Sequence, residues 1–322
     1  MRTVAAVSAA LLATAAAAAF DPDSWLERRE VLAREAERLE KLYLSCAAKA
    51  DDPAEKVSLP VDGHPDGAVK TLITADRAQF FQSQDAVWAA GVTAHEYDAA
   101  GKEVSRLEAE SLIVDRGTKS GWVDGKARAI HGQTLVKGAR VYVSFAEDYV
   151  MITSNALVRS RDFGPRGQVS GAEPRAAGSI STVAAARADY DRRAGVIMMD
   201  GAVRLDDPEY RLAADRAWVF LDGTNELKKV VAVGSVAVTN GLRRGYCDRA
   251  MYERRSGMIT MYARGAEAPA RLVDEGGKGG ELLGERIVFH TGAEQVEVER
   301  PVIKVKTDDG GRAGLMGIGG VK

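Results

Sequence analysis

Six acids recur along the chain at comparable places: Asp76, Glu110, Asp189, Asp215, Asp248 and Glu285. Carboxylates can act as general acids and bases or bind cations, so these are the first candidates for chemistry. Their spacings of 34, 79, 26, 33 and 37 positions set them one repeat apart and do not form a pair or cluster. Each follows a small residue, and several precede an Arg, as in Ala75-Asp76-Arg77-Ala78, Ala214-Asp215-Arg216-Ala217 and Cys247-Asp248-Arg249-Ala250. This pattern reads as a structural rung, with the acid accepting turn N–H bonds near a strand start and the Arg pairing across layers.

The other reactive residue types form no recognisable machinery. No G-x-S-x-G elbow, H-E-x-x-H or C-x-x-C occurs, and His64, His95, His131 and His290 are scattered. Gly277-Lys278-Gly279-Gly280 lacks P-loop spacing and reads as a hairpin turn. Asp308-Asp309-Gly310 lacks the remaining acids of a calcium loop, and Asp206-Asp207 before Pro208 reads as a turn. Neither a catalytic residue, a metal site nor a cofactor is expected. Cys46 and Cys247 are the only cysteines, and a disulfide between them stays open beside two buried thiols. Lys and Arg total 44 against 46 acids, which argues against a nucleic-acid binder with a basic surface.

The acids belong to a longer phrase that tells more. Some ten to twenty residues later, or seven in the last copy, comes a Gly followed in most copies by a small or β-branched residue: Gly91-Val92, Gly125-Lys126-Ala127, Gly201-Ala202-Val203, Gly234-Ser235-Val236, Gly265-Ala266 and Gly292-Ala293. The Gly is expected to end a strand that the acid's strand precedes. Gly138-Ala139-Arg140-Val141 reads as a degenerate copy. A period near 30 with two strands per repeat describes hairpin layers that stack into one core, because a single layer cannot bury its own apolar face.

Alternation supports strands. Val141, Val143 and Phe145 alternate with Tyr142 and Ser144, and Val296 and Val298 alternate with polar residues. Lys228 to Thr239 is apolar on both faces, as in a strand covered on two sides. Before the strands, residues 24–49 form one helix. Ser24 and Glu27 suit a capping box, and Trp25, Leu32, Leu39 and Cys46 recur every seven positions, with Ala36 and Tyr43 between. Arg29 breaks the second row. The helix is expected to pack on its own domain, with a partner-binding coiled coil as the alternative.

Residues 1–19 have a single Arg, an Ala-rich apolar run and an Ala17-Ala18-Ala19 cleavage site, the pattern of an export signal cut after Ala19. Residues 20–67 are expected to hold the charged helix and a Pro-containing linker. Two β units follow, 68–163 and 180–306, joined by the Gly/Pro/Ser-rich linker 164–179. Residues 307–322 form a Gly-rich tail.

The run Leu212-Ala213-Ala214-Asp215-Arg216-Ala217 with Val233-Gly234-Ser235-Val236, and the run Leu283-Gly284-Glu285-Arg286-Ile287-Val288-Phe289 after Met261–Ala270, resemble the OstA-like domain of periplasmic lipopolysaccharide-transport proteins of the LptA and LptC type. The resemblance covers roughly residues 68–306. It implies an all-β fold, an open antiparallel β-jelly roll of stacked hairpin layers, here with one N-terminal amphipathic helix. It also implies periplasmic lipopolysaccharide transport without catalysis, with acyl chains in an apolar groove. Expected partners are lipopolysaccharide, other Lpt-type jelly-roll proteins of the inner- and outer-membrane complexes, and further copies of the chain stacked edge to edge.

This chain departs from single-domain members in its two units and its helix, and the missing membrane anchor favours the LptA-like role. Alternation nominates Val141, Val143, Phe145, Val150, Ile152, Val219, Leu221, Val231 and Val233 as groove positions. Arg243, Arg244, Arg254 and Arg255 could meet lipid phosphates or be ordinary turn residues. An envelope scaffold of stacked β layers and a secreted β-solenoid acting on polysaccharide are the alternative functions.

Overall fold

A computed structural model describes residues 21–132, 134–160, 180–208, 210–221, 227–265, 268–275, 280–290 and 296–301. The expected export signal, the 164–179 linker, Gly277-Lys278-Gly279 of the expected turn, Gly292 and the tail lie outside these residues.

The helix α1 spans Pro22–Ala47 and starts two residues before the expected site. Its N-cap is Asp21, whose carboxylate accepts from the Asp23 N–H at 3.1 Å, and Pro22 occupies the first turn, where a missing N–H costs nothing. Ser24 is therefore inside the helix, and the expected capping box is not used. Trp25, Leu32, Ala36, Leu39, Tyr43 and Cys46 are all buried, so the heptad row is the contact face.

Strands account for almost all the rest. They are β1 (Ala54–Gly63), β2 (Val69–Phe81), β3 (Ala86–Tyr97), β4 (Glu103–Asp115), β5 (Ser120–His131), β6 (Thr134–Ser144) and β7 (Tyr149–Ser160). Then follow β8 (Ser181–Ala185), β9 (Arg187–Asp191), β10 (Val196–Asp206), β11 (Tyr210–Leu221), β12 (Leu227–Asn240) and β13 (Arg243–Glu253). The last are β14 (Met258–Tyr262), β15 (Ala270–Asp274), β16 (Gly280–His290) and β17 (Val296–Pro301).

Strands β1 to β7 pair in sequence order, all antiparallel. The pairs β8–β9 and β14–β15 each act as one interrupted strand. Both β8 and β9 pair with β7 on one side and β10 on the other, and β14 and β15 pair with β13 and β16. Strands β10 to β13 meander, and β17 closes the series on β16. Among the described residues the result is one antiparallel sheet of 17 strands. It is an all-β, open jelly-roll arrangement with one N-terminal helix. The two β blocks read from sequence are hydrogen-bonded to each other, since Val158 faces Val183 and Ile152 faces Ala188 across β7.

The expected linker at 51–67 is corrected by β1, which pairs with β2 from Ala54 to Gly63. Pro60 hid it, yet an outermost strand tolerates Pro, because one side needs no ladder bonds.

The repeated phrase is also corrected. Its acids lie mid-strand, as do Gly91, Gly125, Gly201 and Gly234, whereas Gly265 lies between β14 and β15. In β2 the buried Ala75 and Ala78 both point inward, and Asp76 and Arg77 between them are exposed. In β11 Ala214 and Ala217 flank Asp215 and Arg216 in the same way. Two consecutive outward residues shift the inward phase by one. At Asp215 the β11–β12 ladder also shifts register, a bulge that turns the strand, whereas the β2–β3 ladder keeps its register past Asp76 and both strands change phase together. The next strand supplies the Gly. Gly91 in β3 has φ 64° and Gly234 in β12 has φ 79°. A Cβ on either would overlap the carboxylate of Asp76 or Asp215 respectively. The acid and Gly are therefore two halves of one corner at Asp76–Gly91, Glu110–Gly125 and Asp215–Gly234, whereas Gly265 meets no atom. The degenerate copy fits too, since Arg140 has φ 57° at a register shift in the β5–β6 ladder.

Gly234→Ala should thus cost more than about 1 kcal/mol, combining an unfavourable φ with a steric clash. Gly101→Ala has a comparable φ of 78° but meets no atom, and should cost less. Chemical denaturation of the two variants measures the difference.

Candidate functional site

Bending each strand gives the sheet two faces of different use. The outer face of one half is covered by α1. There Trp25, Leu39 and Tyr43 pack with Ile113, Trp122, Tyr142, Met198 and Trp218. Trp25 meets Trp218 edge-on at a centroid distance of 5.0 Å. Arg29, the residue that interrupts the apolar row, donates to the fully buried Asp189 at 2.9 Å. Asp189 is therefore the exception among the repeated acids. It lies three residues past the break at Ala186 and serves the helix, not a corner.

The inner face is the candidate site. On β6, Val141 and Val143 turn inward while Tyr142 turns out toward α1. On β7, Val150 and Ile152 turn inward and Met151 outward. These residues, with Ile73, Leu107, Val114 and Val136 from β2, β4 and β6, enclose a cavity of about 270 Å³ that opens to the surface. A concavity lined mainly by apolar side chains, with few charged groups at its rim, suits a hydrocarbon ligand.

Four charged side chains sit at that rim: Lys70, Glu96, Asp148 and Arg192. Lys70 Nζ lies 3.3 Å from Asp148 and 3.4 Å from Asp62. Arg192 lies 2.7 Å from Glu96. Burial pulls the Arg192 guanidinium down, but Glu96 more than offsets this and leaves it above its ordinary value. Burial pushes the neighbouring Tyr190 hydroxyl up.

Farther along, the same face is filled. Tyr210 and Tyr252 stack at 6.0 Å, and with Val230, Val238 and Ile259 they leave a void of only about 20 Å³. The trough is thus roomy between β2 and β10 and packed shut beyond.

Of the residues nominated from alternation, Val141, Val143, Phe145, Val150, Ile152 and Leu221 line the cavity. Val219 lies in the packed continuation. Val231 and Val233 turn to the other face and pack in the helix-covered cluster. Ile73, Leu107 and Val136 are additional lining residues. Their alternation is present in the sequence, but its inward phase changes midway along β2 and β4.

The nominated arginines do not line the cavity. Arg243 pairs with Asp274 at 3.1 Å and Arg244 with Glu275 at 3.3 Å, while Arg254 donates to the Leu227 carbonyl at 3.2 Å. Arg255 is exposed. Cys46 and Cys247 are both free thiols, Cys46 on α1 and Cys247 on β13, and burial pushes Cys247 up to about 12. Among the described residues, no three His, Cys, Asp or Glu converge as metal ligands. None of the described helices is long and apolar enough to cross a membrane.

Residues 182–295, from β8 to just before β17, match the family described as LptA/(LptD N-terminal domain) LPS transport protein. A solved structure from Pseudomonas aeruginosa, described as LptH, the LptA homologous periplasmic component of the conserved lipopolysaccharide transport device, is 20% identical. It covers 37% of this chain and 82% of its own, with a TM-score of 0.33. The search of curated proteins finds no match.

Proposed function

We propose that this chain, an OstA-like protein of the lipopolysaccharide-transport type, carries lipopolysaccharide across the periplasm with acyl chains in the β2–β10 trough. One observation carries the reading: an open, apolar cavity of about 270 Å³ inside a sheet whose second block matches a lipopolysaccharide-transport family. Each methylene moved from water into such a trough contributes about 0.8 kcal/mol, so a few acyl chains suffice for stable binding without chemistry by the protein. The sugars stay in solvent. The outermost strands β1 and β17 each pair with one neighbour within the described chain, leaving ladder groups for edge-to-edge addition of another jelly roll or a second copy. Residues 1–19 supply the export signal to the periplasm, and the LptA-like role of a bridge segment suits a chain with no spanning helix among its described residues.

The test uses an apolar fluorescent dye bound in the trough. Lipopolysaccharide should displace it, and fully deacylated lipopolysaccharide should not. Equal displacement by both, or by neither, overturns the reading.

A further inference from the structure

The ion pairs at the cavity mouth are arranged unlike those elsewhere in the sheet. In the packed half, Arg211–Asp206, Arg243–Asp274 and Arg271–Glu281 join adjacent strands. At the mouth the partners come from strands that are not neighbours. Lys70 is on β2 and Asp148 in the turn between β6 and β7, with four strands intervening. Glu96 is at the end of β3 and Arg192 in the turn between β9 and β10. Lys119, in the β4–β5 turn, lies 3.9 Å from Asp62 on β1, which also contacts Lys70. The Arg192 N–H donates to the Asp148 carbonyl at 3.0 Å and so joins the two contact points on one lip.

No ladder hydrogen bond or core contact requires these four side chains to meet. Lys70, Glu96, Asp148 and Arg192 all face the cavity, above apolar walls. Pairs of this kind are partly exposed, individually weak and screened by salt, so they hold a closed state without locking it.

We propose that Lys70–Asp148 and Arg192–Glu96 form a clasp across the two lips of the trough, which sets how fast a lipid enters and leaves sideways. This rests on the reading of the cavity as a lipid site. The clasp separates the rate of exchange from the affinity, since the apolar walls that hold the chains lie below it. It also confines exchange to the roomy half of the sheet.

The test uses a pyrene-labelled diacylglycerol, which carries no charge, and stopped-flow fluorescence on the full chain. Wild-type protein should bind the probe and exchange it slowly, and exchange should quicken at high salt. The double variant Lys70→Met with Arg192→Met keeps the apolar stems and removes both clasp cations. It should raise association and dissociation rates together by about tenfold, leave the equilibrium affinity within about twofold, and lose the salt dependence. A second variant, Glu96→Gln with Asp148→Asn, should behave alike from the acidic side and guards against misfolding of the first. Wild-type rates in both well-folded variants overturn the clasp while leaving the lipid site standing. Absence of probe binding by wild-type protein overturns the lipid site, and the clasp with it.

Discussion

Replacing Asp189 by Ala should destabilise the protein by about 3–5 kcal/mol and loosen α1 from the sheet. Asp189 is wholly buried and accepts from Arg29 at 2.9 Å and from the Tyr149 hydroxyl at 3.0 Å. Burial pushes its carboxyl up, and the Arg29 charge and the hydrogen bonds from Arg29 and Tyr149 only partly pull it back. Removing it strands the Arg29 guanidinium against an apolar layer containing Trp25, Tyr149 and Trp218, where an uncompensated charge is expensive. The neighbouring Arg28 remains paired with Asp191 at 2.5 Å and Glu147 at 3.0 Å, so the helix should loosen at its first turns and not detach. Asp189→Asn keeps one acceptor oxygen for Arg29 and turns an N–H toward the Tyr149 hydroxyl, which can accept it, and should cost less. The double variant Arg29→Met with Asp189→Leu replaces the pair by apolar groups and should recover most of the loss. Denaturant unfolding followed by tryptophan fluorescence measures all three. A cost below about 1 kcal/mol for Asp189→Ala would mean that the pair does not anchor the helix.

The second large effect concerns the trough. Val143→Trp should fill part of the cavity and weaken lipopolysaccharide binding by at least about tenfold, which is about 1.4 kcal/mol. Stability should change by less than about 1.5 kcal/mol, because the new ring enters existing space. Val238→Trp makes the opposite prediction. It sits in the part of the inner face where only about 20 Å³ is free, so overpacking should cost about 1–3 kcal/mol while the lipid cavity stays intact. Calorimetric binding together with thermal unfolding separates the two outcomes. Equal binding losses in both variants would show that the roomy half is not the lipid site.

Much of this architecture is legible in the sequence because its physical causes are local. Seven-residue spacing of Trp25, Leu32, Leu39 and Cys46 gives the buried face of α1, and Arg29 stands out because one charge interrupts the second row of Ala36 and Tyr43. The repeating phrase gives stacked antiparallel layers. The apolar run of β12 correctly signals cover on two sides: Val231 and Val233 pack under the helix cluster, while Val230, Ala232, Val236 and Val238 pack in the inner core. Which side holds a ligand is not written in such a run, since both faces carry the same residue types.

Other features depend on contacts distant in sequence. Asp76 and Gly91 look like strand boundaries until the two strands are paired, when they become one corner. That corner shifts the inward phase, so a fixed alternation misses Ile73 and Leu107. Strand β1 is hidden by Pro60 and by a bulge near Asp62. The clasp joins Lys70 to Asp148 and Glu96 to Arg192, separated by 78 and 96 positions, and only the curl of the sheet brings them together.

Site-specific photo-crosslinking in cells tests the central claim most directly, with the crosslinker placed once at Val143 and once at Val233. Val143 lines the cavity, whereas Val233 packs on the helix-covered face. Lipopolysaccharide should be captured from Val143 and not from Val233. Capture at neither position, or equally at both, would contradict a lipid site on the inner face of this sheet.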